Sequence, residues 1–183
     1  MIMSAVAAPL AERMRPQRIE DLIGQEHLTG EGGMLRKAIE EGKVPSLILW
    51  GPPGTGKTTV ARLLAQETQL AFAQISAIFT GVAELKKTFE TARAQRLAGK
   101  NTLLFVDEIH RFNRSQQDAF LPVMEDGTVT LVGATTENPS FALNAALLSR
   151  CQVLVLRRLD EAALAVLLER VEAALGRKLP VDE

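Results

Sequence analysis

Short runs of apolar, β-branched residues recur along the chain, separated by longer stretches whose apolar positions return at helical spacing. The runs Ser46–Trp50, Phe72–Ser76, Thr102–Asp107, Thr128–Thr135 and Gln152–Leu156 predict strands. Between them, the three-to-four-residue period predicts helices over Gly33–Glu41, Lys57–Thr68, Val82–Ala98, Ser115–Glu125 and Phe141–Leu148. Alternation of this kind marks a parallel sheet with crossover helices, and strands apolar at nearly every position suit a sheet covered on both faces. The expected fold class is α/β. Asp160 reads as the N-cap of a further helix over Glu161–Leu175, with Leu164, Leu167, Leu168, Val171 and Leu175 at helical spacing. Gly176 is its stop signal. Pro180, Asp182 and Glu183 read as another helix start, so a helical region is expected beyond Glu183.

With 183 residues, 46% of them hydrophobic, the chain can build one sizeable core. Lys and Arg number 21 against 22 Asp and Glu, a net charge of -1. That balance neither points to nucleic acid nor excludes it, so any DNA contact must come from local basic patches or from several copies. Cys151 is the single cysteine, which rules out an internal disulfide and points to a reducing compartment. The apolar Met1–Ala11 stretch lacks a basic leader and runs into Arg13, Arg15 and Arg18, unlike a signal peptide. No apolar run approaches the ~20 residues of a membrane span. A soluble, cytoplasmic protein is expected, with no membrane partner.

Gly51-Pro52-Pro53-Gly54-Thr55-Gly56-Lys57-Thr58, followed by Thr59, fits the phosphate-binding pattern G-x-x-x-x-G-K-[S/T] between a predicted strand and a predicted helix. Gly51, Gly54 and Gly56 allow a tight turn whose N–H groups can point at phosphate oxygens. The helix N-terminus adds partial positive charge. Lys57 is expected on the β- and γ-phosphates and the Thr58 hydroxyl on Mg²⁺. ATP with Mg²⁺ is the ligand this loop predicts.

Thr102–Asp107 is an apolar strand that ends in two carboxylates, Asp107 and Glu108. Alone, such an ending is usually a solvated loop. In a chain with a phosphate loop, Asp107 is the candidate Mg²⁺ ligand, and Glu108 the group that orients or deprotonates the attacking water. The apolar run Leu131–Thr135 ends in Thr136, Glu137 and Asn138, where a hydroxyl or amide can hold that water. Thr136 is the first candidate and Asn138 the second; Asn138-Pro139 is also a turn signal in its own right.

The order of these motifs, closed by Ser149-Arg150-Cys151, resembles an AAA+ ATPase, and the Ser-Arg-Cys triplet is similar to that of clamp loaders. More narrowly, "LAERMRPQRIEDLIGQEHL", "FVDEIHRFNRSQQDAFLPVMEDG" and "LVGATTENPSFALNAALLSRC" resemble the family of bacterial replication-associated recombination protein A, which includes the Werner-helicase-interacting protein. The resemblance implies a P-loop AAA+ fold: a five-stranded parallel sheet with helices on both faces and the start of a helical lid. It divides the chain into a flexible tail over residues 1–12, a nucleotide-binding core over 13–157 and the first part of the lid over 158–183. It implies that Arg150 is an arginine finger acting in trans on a neighbour's ATP. Ile23 and the backbone at Gly24 would contact adenine, and Ser76 would pair with Glu108 until DNA binds. The family's second sensing arginine and its tetramerisation region would lie beyond Glu183.

The function implied is ATP hydrolysis in a DNA-maintenance motor at stalled or gapped replication forks. Its partners would be single-stranded gaps, duplex ends, single-strand DNA-binding protein and further copies of itself as a tetramer, close to the nucleoid. A clamp-loader subunit and a Holliday-junction motor share the chemistry and differ in substrate; an unfoldase or a non-hydrolysing switch is the reading from another class. His27 and His110 lack partners at metal-ligand spacing, and His110 is expected to have a structural or gating role. Arg111, Phe112 and Arg114 are open between a DNA-touching cluster and a solvated loop. Trp50 and Cys151 are expected to pack in the interior.

Overall fold

A computed structural model describes residues 8–180. In chain order the helices are α1 (Leu10–Arg13), α2 (Glu26–Thr29), α3 (Met34–Glu41), α4 (Lys57–Glu67), α5 (Val82–Leu97), α6 (Arg114–Asp118), α7 (Phe120–Glu125), α8 (Pro139–Ala142), α9 (Ala145–Ser149) and α10 (Glu161–Leu175). The strands are β1 (Leu47–Trp50), β2 (Ala71–Ser76), β3 (Thr102–Asp107), β4 (Val129–Thr135) and β5 (Gln152–Val155). They form one sheet in the order β2-β3-β4-β1-β5, every pairing parallel. Each expected strand is present, with bounds within one residue of those read from the pattern.

The continuous apolar runs have a simple cause. Leu47, Leu49, Leu103 and Phe105 face one hydrophobic core with Val60 and Leu64 of α4. Ile48, Leu104, Val106 and Leu131 face a second core with Leu85 and Phe89 of α5 and Phe120 of α7. Alternate side chains point to opposite faces, and helices cover both. Packing is close at Gly133 of β4, where an added Cβ would lie 2.9 Å from Ile109 Cδ1 and 3.0 Å from Ile48 Cδ1.

Two expected helices are each broken in two. Ser115–Glu125 divides at Ala119 into α6 and α7. Pro122 explains this break: it has no N–H for the carbonyl of Asp118, and its ring crowds that group. Phe141–Leu148 divides into α8 and α9 because Leu143 and Asn144 are non-helical. Asn144 is fixed instead by α6: its N–H donates to Gln117 Oε1 (2.8 Å), and its Nδ2 donates to Arg114 O (3.0 Å) and Asp118 Oδ1 (2.8 Å). Gln117, 3% exposed, completes the joint by donating to Phe112 O at 3.0 Å.

At the N-terminal side, Leu10–Arg13 is a helical turn, and Arg13 Nη2 donates to Ala174 O of α10 at 2.6 Å. Residues 1–7 of the expected tail, and residues 181–183 of the helix start after Gly176, lie outside the described residues. Among the described residues, no helix is long and apolar enough to cross a membrane.

Candidate nucleotide site

The loop after β1 folds as its glycines permit. Gly54 and Gly56 have φ of +77° and +87°, a region costly for any residue with a Cβ. At Gly51 a Cβ would sit 2.7 Å from Leu156 O. Lys57, at the start of α4, is 8% exposed, and its Nζ donates to Gly51 O (2.7 Å) and Pro52 O (2.8 Å). Burial lowers its pKa, while the nearby Asp107 and Glu108 charges act in the opposite direction. The ammonium is therefore held against the loop's own carbonyls, within the field of two carboxylates.

At the carboxyl ends of the parallel strands these parts share one cavity of about 360 Å³. Its walls are Pro53 to Thr59, Asp107, Glu108 and Thr136. Because β4 lies between β1 and β3, the carboxylates approach the phosphate loop across the end of β4, where Thr136 sits. Thr58 and Asp107 supply the hydroxyl and carboxylate oxygens that a hard cation such as Mg²⁺ takes. Those donors fit the ion. Asp107 Oδ1 also accepts the Glu108 N–H at 3.0 Å.

Beside this cavity is a second, of about 260 Å³ and more apolar, bounded by Ile23, Leu22, Gly54 to Gly56, Thr59, Leu159 and Leu167. An apolar slot opening onto a phosphate loop suits a planar base. Its far wall is built by long-range hydrogen bonds. Gln25, 2% exposed, donates from Nε2 to Arg157 O (2.8 Å) and accepts the Arg157 N–H at Oε1 (3.0 Å). Arg170 Nη1 donates to Asp21 O at 2.6 Å. Gly24 is not among the residues that bound the slot: its φ is +80°, its N–H donates to Glu26 Oε1, and a Cβ there would meet Leu159 Cδ2 at 2.8 Å.

The family model for the ATPase family associated with various cellular activities (AAA) matches residues 47–159, more than half of the chain and all of this phosphate site. The chain belongs to the AAA family of ATPases. It is 55% identical over 162 residues to the replication-associated recombination protein A of Haemophilus influenzae, covering 88% of this chain and 36% of that protein. Identity to the protein of the same name from Escherichia coli K12 is 58% over 152 residues, 83% of this chain and 34% of the other. The ATPase WRNIP1 of Dictyostelium discoideum is 44% identical over 180 residues, 96% of this chain and 20% of its own length. The chain thus spans about a third of the bacterial relatives and a fifth of WRNIP1. Among solved structures, the RuvB Holliday junction branch migration motor of Thermotoga maritima superposes with a TM-score of 0.74 at 28% identity, over 89% of this chain and 55% of that one.

Within this AAA domain the remaining candidates divide. Asn138 lies at the start of α8, where its Oδ1 accepts the Ser140 N–H at 3.0 Å; it is a helix cap and not a wall of the cavity. Arg150 also lies outside the cavity walls. Its Nε donates to Glu125 Oε1 at 2.9 Å and its Nη1 to Ala146 O at 2.8 Å, while Nη2 lies 2.8 Å from the same Glu125 oxygen in an ion pair. Ser76 Oγ accepts the Ile78 N–H at 3.3 Å, and no hydrogen bond joins it to Glu108 among the described residues. The Glu108 carboxylate is met by His110, whose Nε2 lies 3.1 Å from Oε2.

Phe112 is 3% exposed and packs on Phe120, ring centroids 5.8 Å apart, so no base can stack on it. Of that expected cluster only Arg111 and Arg114 are exposed. Trp50 ends β1 in register with Thr135 and Val155, half-buried. His27 Nε2 is 2.7 Å from Val155 O. Burial raises the Cys151 pKa to about 12, so the thiol stays protonated at neutral pH. Gln25 and Gln117 lie within the phrases that carry the resemblance, but nothing in the sequence marks either as the side chain that joins two distant segments.

Proposed function

We propose that this domain binds and hydrolyses ATP as the core of a DNA-maintenance motor acting at stalled or gapped replication forks. The observation that carries the DNA role is the 55% and 58% identity to two proteins named for replication-associated recombination. The chemistry follows from the shared cavity. Adenine occupies the slot beside Ile23 and the triphosphate lies along Gly51 to Thr59, with Lys57 leaving the loop carbonyls for the β- and γ-phosphates. Mg²⁺, held by Thr58 and Asp107, would neutralise charge on the phosphate oxygens.

Glu108 orients the attacking water and takes its proton as the water oxygen bonds to the γ-phosphorus. Thr136 holds that water from the β4 side. The bond from phosphorus to the β–γ bridging oxygen breaks, and ADP leaves with the electron pair. Arg150 of an adjacent copy stabilises the charge that develops, a contribution typically worth ~10³–10⁵ in rate. Partners of the longer protein are single-stranded gaps, duplex ends, forks, single-strand DNA-binding protein and a homotetramer, in a cytoplasmic, nucleoid-associated setting. A Holliday-junction motor is the second reading, supported by the likeness to RuvB; it ranks below because the identity there is half as high.

The test is steady-state ATP hydrolysis by the longest natural form of the chain, with no DNA, gapped duplex or four-way junction. Strong stimulation by gapped DNA is expected. Stimulation by the junction alone would favour the second reading, and indifference to both DNAs would overturn the DNA role.

A further inference from the structure

Glu108 has φ 53° and ψ 41°, left-handed backbone that a residue with a long side chain adopts only when its surroundings enforce it. The imidazole of His110 lies against its carboxylate, and the His110 side chain is only 5% exposed. Its Nε2 faces two carboxylates, Glu108 Oε2 at 3.1 Å and Glu137 Oε1 at 3.7 Å. Carboxylates accept, so Nε2 carries the proton, and in the neutral ring Nδ1 is then an acceptor. Nδ1 is 2.8 Å from Thr135 Oγ1, nearer than the alternative acceptor of that hydroxyl, Glu137 O at 3.3 Å. Thr135, wholly buried at the end of β4, accepts the Glu137 N–H at 3.0 Å. Two hydrogen bonds run one way, Glu137 N–H to Thr135 and Thr135 O–H to His110, and the ring they fix presents its Nε2 edge to Glu108 Oε2 at 3.1 Å.

We propose that His110 is a positioning residue for hydrolysis, orienting the Glu108 carboxylate and tying it to the end of β4 beside Thr136. The inference rests on the reading of Glu108 as the group that activates water. Two polar side chains from one turn are thereby coupled to the end of β4: any displacement of Thr135 is passed through the imidazole to the carboxylate. Ser76 supplies no such link. The Glu137 carboxylate, 3.7 Å from the same Nε2, gives that edge of the ring a second anionic neighbour when Glu108 engages the water.

The test is kcat and KM for ATP in the longest natural form, with melting temperature and affinity for a fluorescent ATP analogue read on every variant. His110→Ala should lower kcat about 10²-fold, the cost of a misaligned catalytic group, with KM and affinity close to wild type. His110→Gln places an amide donor where Nε2 sits and should recover most of the rate. His110→Asn reproduces only the Nδ1 position and should not. Thr135→Val should show the same loss confined to kcat.

A kcat for His110→Ala near wild type, or equal loss in the Gln and Asn variants, would overturn the proposal. So would a loss that tracks melting temperature or nucleotide affinity, or a normal kcat in Thr135→Val. Glu108→Gln separates the two readings. If it turns over normally, the assignment of Glu108 fails and the inference with it; if it is inactive while His110→Ala is normal, only the inference fails.

Discussion

The phosphate cavity and the edge that carries Arg150 differ in how complete they are within one chain. In the cavity, Lys57, Thr58, Asp107, Glu108 and Thr136 come from three strand ends and converge on one space. Arg150, by contrast, is exposed and occupied with Glu125 and a helix carbonyl. An exposed pair of this kind contributes little stability, about 0–1 kcal/mol, and can be exchanged for a stronger partner at small cost. The cavity gathers the groups that the proposed nucleotide chemistry calls on; the edge carries an exposed cation held only by surface contacts. On the proposed reading the difference makes affinity and turnover separable, the first set by groups within the chain and the second by an arginine from a neighbour.

The most drastic way to break the comparison is Lys57→Ala, which removes the ammonium the phosphates require. Nucleotide binding should fall below detection in a fluorescent-analogue titration, and turnover with it. Arg150→Ala sharpens the contrast. If Arg150 acts as the proposed finger, the variant should leave ATP affinity unchanged while lowering turnover of the assembled protein by about 10³–10⁵. Equal loss of affinity in both variants would erase the distinction between the two regions.

Smaller effects test the scaffold that joins them. Gln117→Ala should destabilise the joint between α6 and α9 by about 1–3 kcal/mol, since it strips a part-buried N–H and a buried carbonyl of partners. Its readout is a denaturant midpoint, with nucleotide affinity unaffected. Smallest is the turn into β4, where hydrogen bonds from the Thr128 hydroxyl and N–H, aided by Arg96 and Arg93, hold the Asp126 carboxyl below its usual pKa. A depressed carboxyl contributes stability above its unfolded value of about 3.8, and that contribution fades as pH falls through the folded value. Asp126→Asn should therefore flatten the acid side of the stability profile and leave neutral-pH turnover alone.

How much of this was legible beforehand follows from what each feature depends on. The five strands and the phosphate loop announce themselves locally, because apolar runs and required glycines are written in consecutive residues. The AAA family likewise rested on contiguous phrases. The breaks at Ala119 and Asn144 were not legible as a pair: Pro122 signals the first, but the second depends on Gln117, twenty-seven residues away. Asn138 had a turn reading and a water-holding reading, and its side chain serves the turn. Ser76 and His110 show the same limit. His110 meets Glu108 from two residues along the same turn, but the hydroxyl that fixes its ring, Thr135, comes from β4, and no spacing along the chain reveals that β4 lies beside β3.

The central claim is that each chain holds a complete nucleotide cavity and lends its Arg150 to another. Mixing the Lys57→Ala and Arg150→Ala variants of the longest natural form, each inactive alone, tests it most directly. In mixed oligomers the first variant supplies an intact Arg150 to the intact cavity of the second, so ATP hydrolysis should reappear and rise with the fraction of mixed interfaces. If mixed oligomers form and hydrolysis stays absent, or if Arg150→Ala alone turns over at the wild-type rate, Arg150 does not act between chains and the account fails.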